Sequence, residues 1–364
     1  MNAAPSKKMR VAFVIRNLKF QDVWTATDSS LQAREQIRIF SQLGADVSVI
    51  AEDCDRDGLK KFNVQVEQSW LMSLGKKFFG SLFSSQANQA CRKGRYDLVF
   101  GYGDHETQNI LIASTIEQAL KAPKKSPPLI IVNSQLLKKN LISKDGLNAR
   151  QVEVCPPCYD RDKFHAREKI KVSATIRASL GYKTTDLVIG LWSYTSPTNI
   201  NWNHWLKVLS QIHTTHPLKL LICGPNGISN TLKGPLSEHR LDSHTQVLES
   251  PANLHELYHA VDIFIAPNTS EEFGRAALDA MACGLPVLVP QQLAASELIA
   301  SKQLVKDTSD ETGWKEILNE LIQNKEWRLS VARQNAERAT AFDENQYIKR
   351  FLKILSEHGL ITHR

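Results

Sequence analysis

Two carboxylates, Glu271 and Asp279, stand with seven residues between them at the ends of the stretch EEFGRAALD. An ionised carboxylate only accepts hydrogen bonds, so such a pair suits the hydroxyl groups of a ligand and not its phosphates. Between them Gly274 permits a tight turn, and residues 275–283 (RAALDAMAC) contain good helix formers, with Gly284 placed as a left-handed stop. The segment before, 262–267 (DIFIAP), is mostly apolar and closed by a proline, the pattern of a buried parallel strand. A helix that begins at the carboxyl end of such a strand aims its free N–H groups and positive dipole end at an anion, in the crevice where open parallel sheets bind their ligands. Acceptors for hydroxyls beside donors for phosphate together suggest a nucleotide sugar.

The elements that must position this stretch alternate along the chain. Residues 10–15 read as an apolar strand, 30–43 as an amphipathic helix ending at Gly44, and 46–50 as the next strand. Further strands are expected at 96–100 and 129–133, the second after a surface loop, KAPKKSPP, over 121–128. A helix over 167–180 stops at Gly181 and opens a second series. It continues with a strand at 187–192, a helix at 205–213, a strand at 218–223 and the turn Gly224-Pro225-Asn226-Gly227. After Glu311 the chain reads as helical. A length of 364 residues exceeds one ordinary domain and favours two.

The composition is that of a soluble globular protein, 42% hydrophobic, and the apolar run 11–15 is far too short for a signal or a span. A cytoplasmic protein is expected. Six scattered cysteines do not form a disulfide framework, and Cys155-Pro156-Pro157-Cys158 has no second Cys or His pair at zinc-site spacing. Residues 1–150 hold 22 Lys and Arg against 14 Asp and Glu, a net +8, while the remainder is near neutral. That asymmetry points to an anionic partner for the N-terminal half. The stretch 70–83 (WLMSLGKKFFGSLF), from Trp70 to Phe83, gathers its apolar side chains on one helical arc. It suits either an interfacial helix on an anionic membrane or a helix packed on the sheet. The basic charges are spread through loops without a recognised module, so nucleic acid is not expected as a partner.

The residues around Glu271 and Asp279 resemble the retaining GT-B glycosyltransferases of the group 1, or family 4, type. That signature is an acid, then Gly-Phe-Gly, a second acid after seven intervening residues, and Ala-Met-Ala-Cys-Gly-Leu-Pro-Val. Here Phe273-Gly274 and residues 280–287 match it in register. The likeness runs outward through LHELYHAVDIFIAP (254–267) and Ser296-Glu297-Leu298-Ile299. It implies an α/β chain of two Rossmann-like, doubly wound parallel-sheet domains facing a cleft. Residues 1–164 would form the acceptor side, 165–340 the nucleotide-sugar side, and 341–364 would include a helix, placed at 347–358, that crosses back to the first domain. Residues 151–164 (QVEVCPPCYDRDKF) resemble the segment that ends the first domain, which makes Cys155 and Cys158 linker residues.

The resemblance also implies roles. Glu271 would hold sugar hydroxyls, Asp279 the ribose diol, and the N–H groups from Phe273 through Gly274 to Arg275 the diphosphate, with Gly224 on the same donor side. In the loop after the strand at 96–100, His105 would lie near the donor sugar, with Asp104 and Tyr102 as alternatives. No cofactor or metal is implied beyond the nucleotide-sugar substrate. Asp53-Cys54-Asp55 has the Asp-x-Asp form that holds a metal in the other large glycosyltransferase fold, but a second copy at 160–162 shows how common it is. The acceptor would be a glycan or a lipid-linked group, reached at the inner face of the cytoplasmic membrane.

One departure bears on activity. Where the family has Gly-Arg and then Lys-Gly to clamp the diphosphate, this chain reads GLWSYTSPTNINW from Gly190, with no base before Lys207. Arg275 is a candidate replacement cation, and the hydroxyls of Ser193, Thr195 and Ser196 candidate neutral donors. Alternatively Arg275 pairs with Glu271 or Glu272 and the chain is a non-catalytic nucleotide- or glycan-binding protein. A sugar epimerase or phosphorylase is a third class.

Overall fold

The computed structural model describes residues 8–19, 24, 27–62, 64–67, 80–103, 107–121, 128–166, 169–194, 200–212, 214, 218–268 and 273–361. The chain divides into two compact units, one formed by 1–156 with 348–364 and the other by 157–347.

In the first unit the elements are β1 (Arg10–Val14), α1 (Asp28–Gln42), β2 (Asp46–Ile50), β3 (Gln65–Glu67), α2 (Gly80–Gly94), β4 (Leu98–Gly101), β5 (Ile110–Ala113), α3 (Ile116–Leu120), β6 (Leu129–Val132), α4 (Gln135–Ser143) and β7 (Val152–Val154). The strands pair in parallel in the order β3-β2-β1-β4-β5-β6-β7. Buried strands read as continuous apolar runs because helices cover both sheet faces. VAFV at 11–14 and LIIV at 129–132 follow that rule, and every one of these residues is buried. Helix α1 starts where the Thr27 side chain accepts a hydrogen bond from the Ser30 N–H, 3.1 Å, satisfying one of the first-turn donors. Phe13 stacks on Phe100 at 4.8 Å, and Phe351 from the C-terminal segment lies 5.9 Å from Phe100.

The stretch 70–83, read as either an interfacial helix or a helix packed on the sheet, mostly lies outside the described residues, but its last aromatic does not face solvent. Phe83 is 2% exposed and packs with Ala12, Val14, Ile50, Ala87, Cys91 and Val99. Phe83 therefore serves the core, in keeping with the alternative of a helix packed on the sheet at that position.

The second unit contains α5 (Lys169–Ser179), β8 (Leu187–Trp192), α6 (Trp202–Ser210), β9 (Leu218–Gly224), α7 (Ile228–Glu238), β10 (Thr245–Glu249), α8 (Leu254–Ala260), β11 (Ile263–Ile265), α9 (Arg275–Ala282), β12 (Val287–Pro290), β13 (Val305–Lys306), α10 (Glu311–Gln323) and α11 (Lys325–Ala339). Its parallel sheet has the order β10-β9-β8-β11-β12-β13. Winding proceeds outward from β8 in one direction and then from β11 in the other, so the order reverses between these two central strands. Arg177 of α5 secures this centre. Its guanidinium is buried and donates to the Ala260 and Asp186 carbonyls and to the Asp262 carboxylate. The last helix, α12 (Glu344–Glu357), starts after Asp343, whose carboxylate accepts from the Gln346 N–H at 2.9 Å.

All six cysteines are free. Burial pushes the Cys155 thiol up to about 12, as expected of an inert core thiol. Among the described residues no helix is long and apolar enough to cross a membrane.

Candidate functional site

The reversal between β8 and β11 opens a crevice at their carboxyl ends, where parallel sheets of this winding take their ligands. Two segments meet there. After β8 come Ser193 and Tyr194, and after β11 the chain reaches Phe273 and Gly274 and enters α9. Gly274 has φ 77°, and a Cβ there would lie 2.5 Å from the Leu293 side chain. Both facts require glycine: L-residues are strained in that region, and Leu293 is fully buried. Phe273 is 1% exposed, and its carbonyl accepts from the Ala295 N–H at 2.8 Å. Its side chain is thus an anchor for the turn, so any ligand contact at this position falls to the backbone. The first N–H groups of α9 have no partner within the helix, by helix geometry, and carry its positive end.

Arg275 and Asp279 are one turn apart and share a face of α9. Arg275 donates from Nη1 to the Cys158 carbonyl at 2.9 Å. This brings the segment after Pro157 against that face, where Asp160 and Lys163 also act on Asp279. Asp279 is 2% exposed, and burial pushes its carboxyl up to about 7, partly offset by the Tyr194 hydrogen bond and the Arg275 charge. The Tyr194 hydroxyl donates to Oδ2 of Asp279 at 2.6 Å and lies 2.9 Å from the Tyr258 hydroxyl, which donates to the Ala276 carbonyl at 3.1 Å. Tyr258 is itself fixed by rings, with Trp192 at 4.7 Å and Phe164 at 5.7 Å.

Neither tyrosine stands out in the sequence as a site residue. Tyr194 lies in the base-free run after Gly190, between the hydroxyl residues singled out as neutral donors, and Tyr258 lies in an apolar helix. The one available signal was a phenol embedded in a hydroxyl-rich loop after the first strand of the second series.

The other candidates fall as follows. Ser193 is buried at the end of β8. Gly224 closes β9, where a Cβ would come within 2.8 Å of Ile228, so close packing accounts for glycine there. Glu271, Glu272, Thr195, Ser196, Asp104 and His105 lie outside the described residues. Tyr102, next to that last pair, is buried and donates to Gln36 at 2.5 Å. Leu191, which follows Gly190 where the family has its arginine, is fully buried in β8. Lys207, the first Lys or Arg after it, is ion-paired with Glu311 at 2.9 Å on an exposed face.

Among the described residues no group of three His, Cys, Asp or Glu is arranged to hold a metal. Asp53 pairs with Lys19 at 2.8 Å, and Asp55 caps the short helix Arg56–Lys60 by accepting from the Gly58 N–H. These acids have structural partners.

Residues 175–339 match the family described as Glycosyl transferases group 1. A D-inositol 3-phosphate glycosyltransferase of Corynebacterium jeikeium is 24% identical over 254 residues, covering 65% of this chain and 59% of that one. The counterpart from Corynebacterium urealyticum is 23% identical over 241 residues, covering 62% and 56%. The chain therefore spans little more than half the length of these relatives. Two solved structures match nearly end to end. WaaG, a glycosyltransferase involved in lipopolysaccharide biosynthesis, superposes with a TM-score of 0.78 at 15% identity, over 95% of this chain and 99% of that one. HepE of Anabaena, in complex with UDP and glucose, does so with a TM-score of 0.75 at 18% identity, over 96% and 100%. The fold is that of the GT-B glycosyltransferases.

Proposed function

We propose, for a chain whose residues 175–339 match the group 1 glycosyl transferases, transfer of a sugar from a nucleotide-sugar donor to a glycan or lipid-linked acceptor, with retention of configuration and without a metal. The observation that carries this reading is the start of α9. It lies at the reversal of the second sheet, preceded by Gly274 in the left-handed region and followed one turn later by Asp279. The helix start supplies positive potential for a diphosphate, and the acid supplies an acceptor for ribose hydroxyls. Arg275, on the same face as Asp279, adds the cation absent after Gly190. In this reading Glu271 holds the sugar hydroxyls, and His105 or Asp104 is the candidate partner of the sugar or its developing charge. That unit's excess of basic residues draws an anionic acceptor or a membrane bearing one. The engagement of Asp53 and Asp55 in a salt bridge and a helix cap supports a reaction without metal.

A second reading, a non-catalytic nucleotide- or glycan-binding protein, is favoured by one observation. Leu191 is sealed in the core, and no Lys or Arg follows until Lys207, which is already paired. A diphosphate leaving group without its cation faces a barrier raised by roughly 3–4 kcal/mol, on the scale of losing one transition-state donor.

Thermal-shift titration with UDP, GDP, ADP and CMP and their common sugar conjugates, beside Asp279→Ala, tests the site. A ligand that binds only the folded protein at a hundred times its Kd adds about 2.7 kcal/mol of stability. The expected outcome is a shift with one nucleotide that Asp279→Ala abolishes, followed by formation of a new glycoside from that donor. A nucleotide shift without glycoside selects the second reading, and no shift at millimolar concentration overturns the donor site.

A further inference from the structure

The ionised carboxylate of Asp279 offers about four acceptor positions on two oxygens, and the fold has already used one of those on Oδ2. Tyr194 donates to Oδ2 at 2.6 Å, the length of a charge-assisted hydrogen bond, and among the described residues this is the only hydrogen bond to the carboxyl group. Tyr194 is not free to swing away. It is 8% exposed, and its oxygen also lies 2.9 Å from that of Tyr258, which is fully buried and tied to the Ala276 carbonyl in the first turn of the same helix. Each phenol has one proton. With Asp279 ionised, that of Tyr194 goes to the carboxylate and that of Tyr258 to Ala276 or Tyr194, so withdrawing Tyr194 strands a buried acceptor.

We propose that Tyr194 is a positioning and specificity-determining residue of the donor site, which takes one acceptor position of Oδ2 of Asp279 and part of its charge, so that Oδ1 is the stronger acceptor left for a ligand. A carboxylate with two equal oxygens clasps two neighbouring hydroxyls alike; this one, with Oδ2 already sharing a short bond, holds the hydroxyl at Oδ1 more strongly than its neighbour. The proposal rests on the reading of Asp279 as the ribose acceptor. Its consequence is uneven recognition of the ribose, with one of the 2′- and 3′-hydroxyls read by the acid much more strongly than the other.

The test measures Kd by calorimetry for UDP, GDP and ADP and for their 2′-deoxy and 3′-deoxy counterparts, on the wild type, Tyr194→Phe and Asp279→Ala. In the wild type one deoxy analogue is expected to bind within about twofold of its parent. The other should bind about tenfold or more weakly, the usual worth of one hydrogen bond to a charged group. Tyr194→Phe frees Oδ2, and the previously indifferent analogue should then bind more weakly than its parent. General loosening of the site would lower all affinities together and leave these ratios unmoved, so the ratios separate positioning from structural damage. Equal losses for both analogues in the wild type overturn the proposal without using a variant. So do ratios unchanged in Tyr194→Phe while Asp279→Ala weakens binding, which leaves the ribose reading intact. Nucleotide affinity unchanged in Asp279→Ala, or no binding by any of the three nucleotides, overturns the ribose reading and the proposal with it.

Discussion

At the scale of single residues, Asp279 stores a pH dependence. Burial pushes its carboxyl up to about 7, against 3.8 for the ordinary side chain. The folded protein therefore holds a proton that the unfolded chain has released, and stability falls as pH rises from about 4 to about 7, then levels off. At roughly 1.4 kcal/mol per pH unit this amounts to on the order of 4 kcal/mol. The hydroxyl chain explains why the neutral form is well accommodated. A protonated Asp279 donates to Tyr194, Tyr194 to Tyr258, and Tyr258 to the Ala276 carbonyl, so every proton finds an acceptor along the same three contacts. Asp279→Asn keeps a neutral side chain at every pH. Urea unfolding at pH 5 and pH 8 should therefore show the wild type losing stability relative to Asp279→Asn on going to the higher pH. A constant difference between the two proteins would mean that the acid is not desolvated.

At the scale of elements, the turn into α9 depends on one glycine. Alanine at 274 would meet a left-handed backbone cost of about 1–2 kcal/mol and overpacking against buried Leu293, typically about 1–3 kcal/mol. Gly274→Ala should thus lower the urea midpoint and weaken the nucleotide shift together. Combining it with Leu293→Ala should cost less than the sum of the single changes, because the clash is shared and the backbone strain is not; strict additivity would place the cost in the backbone alone. This element was the most legible part of the chain, since its glycine, helix formers and Gly284 stop are local signals that contacts elsewhere do not alter. Helix boundaries were less so. Helix α6 starts at Trp202, three residues before its expected beginning, because Asn201 caps it by accepting from the His204 N–H at 3.1 Å. Helix α12 likewise starts at Glu344 and not at 347, after the Asp343 cap. The partners of the site residues were not legible at all. Tyr194 meets Asp279 from 85 positions away and Cys158 meets Arg275 from 117, and such pairings are set by how the sheet winds, not by any spacing along the chain.

At the scale of the whole molecule, the division into units sharpens the charge asymmetry. The C-terminal segment 348–364 joins residues 1–156, which gives the first unit 26 Lys and Arg against 16 Asp and Glu, a net +10, and leaves the second unit at −3. Because that segment enters the core of the first unit through Phe351, its charges belong there as firmly as those of the N-terminal residues. A unit so charged draws an anionic surface or acceptor by a field that salt suppresses. The Debye length is about 10 Å at 0.1 M and about 3 Å at 1 M, so a charge-driven contact at low salt should be lost at high salt, whereas an apolar contact should persist. Sedimentation with vesicles of phosphatidylglycerol and of phosphatidylcholine separates these cases. Retention on the anionic vesicles alone, released by salt, is the outcome expected if the first unit meets a charged, lipid-linked acceptor. Retention on both vesicle types irrespective of salt would assign the contact to apolar surface. The absence of retention on either would direct the search to soluble glycans, whose phosphate or carboxylate groups would answer the same charge.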